Sequence, residues 1–453
     1  MRTARKRVVG LALIGALAAC GDDLFIPDYN NPSLEELETN PTRTAIITAA
    51  QGLLIGARNG IAAQTGYVAH LGILGRESYT FDNSDPRYID EMVAGTLDPG
   101  NGGFGGSGWA PRYANIRNAN ILLNALESVS GFEPEELEAI RGFAKTIQAL
   151  DFLLVVNMRD TNGGVIDVNR PLDEEPGPFV TRDAMLAHVS DLLDEADAHL
   201  AGGGAAFPFR LSSGFAGFDD PASFRRFNRA LKARVEVYRG NHDAALAALD
   251  ASFLDHNASL DLGVYHAFGA GSGDVTNGLF NPQIVAHPSI RTDAETKPDG
   301  TLDDRVLRKT TVLDAALGGQ GVFSDIGITL YNGLDAPVPI IRNEELILLR
   351  AEALIGLGRI AEAADELNFI RVNSGGLAPR NDLDAGNIVD ELLHQRRFSL
   401  FFEGGHRWID MRRHGRLDEL PLARPTDRVP SAFPIPTPEC LARGLTPPCG
   451  AGS

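Results

Sequence analysis

Apolar residues recur every three or four positions over much of the chain, the spacing that places them on one face of a helix. Residues 42–63 carry Ile46, Ala49, Leu53 and Ala57 at that spacing, and residues 112–126 carry Ile116, Ala119, Leu122, Leu123 and Leu126. Pro134-Glu135-Glu136 has the proline and acids of a helical first turn. The pattern then continues through Ile140, Phe143, Ile147, Leu150 and Leu154. Thr181 is an N-cap residue type, followed by Met185, Val189, Leu192, Leu193 and Ala196 facing inward. Further helices are predicted over 222–238, 242–253, 343–356, 360–373 and 386–403. Period-two alternation is scarce, and Val165-Ile166-Asp167-Val168 is the kind of short strand it offers. The predicted fold is mainly α, with few short strands.

Three stretches break the helical pattern: 79–111, 201–220 and 262–338. They are rich in Gly, Asp, Asn or Phe. Irregular segments this long are functional or disordered when they interrupt a compact domain. Two helical segments repeat: shifting Lys232–Leu249 by 118 residues lays Ala233 on Ala351, Gly240 on Gly358, Ala245 on Ala363 and Leu249 on Leu367. In each, a helix stops at glycine and an alanine-rich helix returns. This resembles the tetratricopeptide repeat, a helix–turn–helix unit. The second copy places Ile347, Ala351, Leu354, Ala363, Leu367 and Ile370 inward; the first departs from the pattern at Arg229 and Glu236. The expected architecture is a scaffold of tetratricopeptide-like helical hairpins with long irregular loops.

The N-terminus has a different character. Arg2, Arg5, Lys6 and Arg7 precede twelve uncharged residues, Val8 to Ala19. That run is shorter than the ~20 apolar residues a membrane helix needs, and it has the length of a signal-peptide core. Leu17-Ala18-Ala19-Cys20 resembles a bacterial lipobox, with small residues before the acyl-accepting thiol. The expectation is a signal peptide over 1–19, a lipid on Cys20, a polar lipidated N-terminus and tether over 20–41, and one domain over 42–453. The membrane is then reached through the lipid anchor and not by insertion.

Charge narrows the partners. The net charge is -19, and removing the basic leader makes the mature chain more acidic still. Such a surface repels nucleic acid and anionic lipid. Beyond Cys20 the cysteines are Cys440 and Cys449. In an oxidising exported setting they are positioned to pair, the alternatives being free thiols or half a metal site. No metal-ligand set, P-loop or nucleophile elbow is present, and no cofactor is implied. Gly103-Phe104-Gly105-Gly106-Ser107-Gly108 matches a dinucleotide fingerprint literally, but the turn-like run before it is no strand, so it reads as a flexible loop. Tyr79, Phe81, Tyr88 and Trp109 fall in one loop region, where an aromatic ring either anchors the loop on the core or stacks on a ligand. Tyr79, Phe81, Trp109 and, from the long third loop, Tyr265 are the candidate ligand-binding residues.

The segment Glu391 to Arg413 carries a further pattern. It resembles the signature of the SusD/RagB family of outer-membrane nutrient-binding lipoproteins, roughly E-R-x-x-E-L-x-F-E-G-x-R-W-x-D-L-x-R. Arg397, Leu400, Phe402, Glu403, Gly404, Arg407, Trp408, Asp410 and Arg413 fit it; Ser399 stands where an acid is usual, and the opening at Gln395-Arg396 is shifted. Phe433-Pro434-Ile435-Pro436 with Glu439 resembles the family's closing element. Read as chemistry, the phenylalanines pack a helix, Glu403, Arg407 and Asp410 form ion pairs that fix the next turn, and Trp408 belongs to the core. The resemblance implies a SusD-like fold and a non-catalytic surface protein. It implies a role capturing an oligosaccharide or peptide and delivering it to a TonB-dependent outer-membrane transporter (SusC-like). The competing expectation is a repeat scaffold for envelope protein assembly. The small number of tryptophans sets this chain apart from the family's aromatic glycan platform.

Overall fold

The computed structural model describes residues 34–171, 173–271 and 274–452. The leader, Cys20 and most of the expected tether lie outside these residues. The tether's last residues form a short helix, α1 (Leu34–Thr39), packed against a later one. Next come α2 (Arg43–Arg58), α3 (Tyr67–Leu74), α4 (Ala110–Ala125), α5 (Pro134–Arg159), α6 (Arg182–Ala201), α7 (Pro221–Arg239) and α8 (His242–Asp250). Short α9 (Ser289–Thr292) and α10 (Asp304–Lys309) precede α11 (Asn343–Gly356), α12 (Ile360–Asn373), α13 (Ile388–Ser399), α14 (His406–Arg413) and α15 (Thr437–Ala442).

The long helices form where the apolar spacing places them. Thr42 and Thr181 cap α2 and α6, accepting the Ala45 and Ala184 amides. The start of α5 carries a reciprocal capping box between Glu133 and Glu136, with Pro134 in its first turn. The helices then pack on one another in chain order, α4 on α5, α5 on α6, α6 on α7 and α7 on α8, with α11 packed on α8, α12 and α13. The repeat seen in the sequence is thus the pair of hairpins α7–α8 and α11–α12, which lie side by side. Gly240 and Gly358 close their first helices with φ of 75° and 71°, a conformation costly for any other residue. All six inward residues expected of the second copy are buried in one core cluster. The polar breaks in the first copy have a use. Arg229 reaches the Leu193 carbonyl and Asp194 on α6, and buried Glu236 accepts from Ser190 at 2.7 Å.

The irregular stretches hold more order than their composition implies. Residues 262–338 supply most of a four-stranded antiparallel sheet ordered β1 (Ser78–Thr80), β3 (Ile284–Ala286), β5 (Val322–Ile328), β4 (Thr310–Gly319). A second pair joins β2 (Gly263–His266) to β6 (Val338–Arg342). Strand β4 escapes a period-two reading because most of its residues are exposed, and β5 because its alternation is reversed in chemistry, with Phe323 outward and Ser324 inward. The converse holds at 165–168: only Gly164 makes a bridge, to Val180, and the four residues expected as a strand do not form one.

The Glu391–Arg413 segment contributes several buried ion pairs to the interior. Glu403 takes Lys309 at 2.8 Å and Arg342 at 2.8 Å. Asp410 takes Arg396 at 2.6 Å and Arg413 at 2.8 Å, and Arg413 continues to Glu352 on α11 at 2.8 Å. Glu345 and Arg234 pair in two-pronged fashion between α11 and α7. Gln395 and Ser399, the departures from the motif, share one buried partner: Arg305 donates to Gln395 Oε1 at 2.7 Å and to Ser399 Oγ at 3.0 Å. Arg407 corrects the expectation. No ion pair joins it among the described residues, and its Nε is buried without a hydrogen-bond partner. Burial, with Arg397 beside it, pushes its guanidinium down to about 9. Trp408 is core, as its residues imply: it is fully buried, donates Nε1–H to the Pro430 carbonyl at 2.9 Å and meets Phe433 edge-on. No described helix is long and apolar enough to cross a membrane.

Candidate functional site

A cleft of about 960 Å³ opens where the C-terminal end of α2 meets the glycine-rich loop, the N-terminus of α4, Phe268, Val275, Thr276 and Gly278, and the C-terminal segment at Pro436–Glu439. Its shape follows from how α2 ends. Gly60 turns the chain with φ of 69°, and Arg112 on α4 reaches across to close the helix. Arg112 donates to the carbonyls of Ala57 (2.7 Å), Gly56 (3.0 Å) and Asn59, and pairs with Asp151 at 2.6 Å. These are the orphan acceptors of a helix terminus, satisfied here by a side chain. Arg112 is therefore fully engaged, although it borders the cleft. Burial pushes the Asp151 carboxyl up to about 6, against the pull of Arg112 and Asn115. Close approach of α2 and α4 needs Gly56, since a Cβ there would overlap Asn115.

The glycine-rich loop is built, and the expectation of a flexible loop gives way. Glu91, on a single π-helical turn, accepts the amides of Asp98 (2.9 Å) and Gly105 (2.8 Å) and the Asn101 side chain (3.3 Å). Beneath the loop sits Arg159, fully buried, donating to the Gly106 and Ser107 carbonyls and lying over Trp109 and Phe433 at 5.7 and 5.5 Å. Burial pushes Arg159 down to about 9. His70 bonds Ser107 Oγ at 3.0 Å, and burial pushes it down to about 3, so it is neutral at physiological pH. The loop thus has a rigid floor of backbone and small side chains. The C-terminal segment forms the opposite wall: Thr437 N–H donates to the Pro99 carbonyl at 3.0 Å, and Cys440 is joined to Cys449 by a disulfide with Cα atoms 5.8 Å apart. The cleft's surface is mostly apolar, and its rim presents Ile55 (59% exposed) and Val275 (52% exposed).

The four candidate aromatics do not converge. Trp109 borders the cleft but is buried, its ring packed on Tyr113 (4.4 Å) and Phe179 (6.3 Å). Tyr79 is buried in β1 between Phe81 and His287, and Phe81 packs partly buried beside it; neither borders the cleft. Tyr265, on β2, lines a second cavity of about 540 Å³ and bonds the Asp261 carbonyl at 2.5 Å. Tyr88 is buried against Phe104. Tyr79, Tyr88 and Trp109 anchor their loops on the core, whereas Tyr265 stands on the wall of the second cavity. Sequence reasoning missed Arg58 and Asn59, which border the cleft from the end of α2. Their signal in the sequence is only that of a basic residue closing a helix. Among the described residues no cluster of three or more histidines, cysteines or acids is arranged to hold a metal.

Fold and cleft together define a stack of helical hairpins whose loop face carries one large open cleft. Residues 323–425, spanning β5 to the segment after α14, match the sequence profile of the SusD family. That match covers the C-terminal part of the chain, and the fold of SusD-like proteins extends over most of the rest. Solved structures share the fold across nearly their full length. A SusD-like carbohydrate-binding protein from Bacteroides fragilis NCTC 9343 has 14% identity and a TM-score of 0.69, covering 90% of this chain and 99% of that one. A SusD superfamily protein from Bacteroides vulgatus ATCC 8482 has 15% identity and a TM-score of 0.66, covering 89% and 98%. A laminarin-binding SusD-like protein has 18% identity and a TM-score of 0.62, covering 91% and 100%. At these identities the likeness speaks for the fold. No protein of curated function matches the sequence.

Proposed function

We propose that the protein is a surface lipoprotein that captures an oligomeric nutrient, glycan or peptide, and delivers it to a partner TonB-dependent outer-membrane transporter. The observation that carries this reading is the open cleft of about 960 Å³, walled by loops on the face of a helical scaffold. A cleft of that size takes several linked units, and ligand sites are concave and mostly apolar with a few placed polar groups. The carbohydrate- and laminarin-binding descriptions of two fold relatives support a sugar. The lipid on Cys20 holds the protein at the outer membrane, the Cys440–Cys449 bond steadies one wall, and the role requires no bond-making chemistry. Because the four aromatics expected to stack are split between cleft, second cavity and core, ligand contact falls to Arg58, Asn59, Thr65 and the exposed apolar rim.

The test is calorimetric titration of the protein from Gly21 onward with a panel of oligosaccharides and peptides. Binding without breakdown of the ligand is expected, with modest affinity, since the cargo must leave again. A folded protein silent to the whole panel would sink the capture reading and favour an envelope scaffold.

A further inference from the structure

The second cavity adjoins the first, and the two share Ile55 and Arg58. An oligomer lying in the cleft can therefore continue past Arg58. The second cavity's charge is opposite to that of the molecule. In a chain of net charge -19, its borders include Arg58 and Arg210, and among the described residues Asp274 is the only acid there. His266 adds no charge, because burial pushes it down to about 3. Arg210 is exposed and has no carboxylate partner among the described residues.

Arg58 is held in readiness in a specific way. Nη1 donates to the Ala267 carbonyl at 2.8 Å, Nη2 meets Asp274 at 2.6 Å, and Nε is buried without a partner. The Arg58 side chain is 16% exposed, that of Asp274 38%. An ion pair open to water on its acid side is weakened by solvent screening. Asp274 also accepts its neighbour's amide, Val275 N–H at 2.8 Å, so it keeps a partner if Arg58 is taken from it. Around the two cations stand neutral hydrogen-bonding groups, Gln51 and Ser212, suited to hydroxyls.

We infer that the second cavity is a subsite for a carboxylate-bearing sugar unit, which Arg58 and Arg210 grip, and that Asp274 holds the place of that carboxylate in the unliganded protein. This rests on the capture reading and adds a ligand class to it. An incoming uronate replaces one carboxylate on Arg58 by another and gains Arg210, whereas a neutral sugar would have to break the Arg58–Asp274 pair with nothing charged to offer in return.

The experiment titrates the wild type and the Arg58→Gln, Arg210→Gln and Asp274→Asn variants with galacturonate, glucuronate and alginate oligomers and with the same oligomers after chemical reduction of their carboxyls. Urea unfolding of each variant confirms the fold; Arg210→Gln, at an exposed position, leaves it intact. At least one acidic oligomer should bind the wild type about tenfold or more tighter than its reduced form, the scale of a charge-assisted hydrogen bond. Either arginine variant should erase that preference, Arg210→Gln while leaving reduced oligomers unaffected and Arg58→Gln with some loss for both forms because Arg58 also borders the main cleft, and Asp274→Asn should tighten acidic binding several-fold. Equal binding of acidic and reduced forms overturns the subsite and leaves the capture reading standing. Absence of acidic binding to both wild type and Asp274→Asn overturns it as well. Capture of oligoglutamate with no sugar bound overturns the assignment to sugars. If no oligomer of any class binds, both readings fall.

Discussion

Glu77 gives the sharpest test of how this interior is held together. It is buried behind α3, where Oε1 accepts the Phe402 amide at 3.1 Å and Oε2 has no hydrogen-bond partner. Burial pushes its carboxyl from 4.5 up to about 7, against the Phe402 amide and the positive field of Arg407. The native state therefore keeps a proton that the unfolded chain gives up. Between pH ~4.5 and ~7 the unfolded state binds fewer protons, so the contribution of this group to stability is fully present below the unfolded value and falls as pH rises to the folded one. A shift of that size corresponds to on the order of 3 kcal/mol between the ends of the window. Glu77→Gln keeps the acceptor for Phe402 and removes the titration. Urea unfolding of wild type and variant at pH 5 and pH 8 measures it: the variant should be nearly neutral at pH 5 and more stable than wild type by about 2–3 kcal/mol at pH 8. If the difference between variant and wild type is the same at both pH values, the buried carboxyl is not a cost and the reasoning fails.

Glu403→Gln should destabilise the fold by about 3–5 kcal/mol, because Lys309 and Arg342 lose a shared buried carboxylate; equilibrium unfolding in urea at pH 7 reads it. Burial opposes that charge, yet Arg342 and Lys309 hold the Glu403 carboxyl below its usual range. Its stabilisation is therefore present above the unfolded value near 4.3 and is lost as pH falls through the folded one, so the variant should lose less than wild type on acidification. Trp109→Ala should cost about 3–5 kcal/mol of stability, as buried aromatics do, and a variant that folds as well as wild type would show the ring to be dispensable to the loop floor. Removing the disulfide with Cys440→Ser and Cys449→Ser together should lower stability by roughly 2–3 kcal/mol for so short a loop, measured against the oxidised wild type.

The helical scaffold is legible in the sequence because each long helix buries one stripe, and a stripe writes a period. Ile347, Ala351 and Leu354 announce α11, and its partner α12 follows from Ala363, Leu367 and Ile370. Helix α3 has no such signature. All eight of its residues are buried, so no polar face interrupts the apolar run and no period appears. Strand β4 fails for the opposite reason, being exposed on most of its residues. Periodicity reports a boundary between core and water; elements wholly on one side of it leave no trace.

The cleft is harder to foresee because its parts are ordinary where they stand. Arg58 reads as a basic residue closing a helix, Asn59 as the turn after it, and Pro436 as part of the closing element. They become a site only when α2, the glycine-rich loop and the C-terminal segment meet, over sequence separations of hundreds of residues. The aromatics misled for the same reason. A tryptophan in a polar, glycine-rich stretch carries one signal, large apolar area, and two structures satisfy it: a ring facing ligand or a ring holding the loop to the core. Composition cannot separate them. The decision lies with Glu91 and Arg159, which draw the loop down onto the core from below and turn Trp109 inward with it. What remains exposed at the rim is then aliphatic, Ile55 and Val275, with Arg58 and Glu439 partly buried beside it. On the proposed capture role, selection falls to charge and hydroxyl pattern more than to ring stacking.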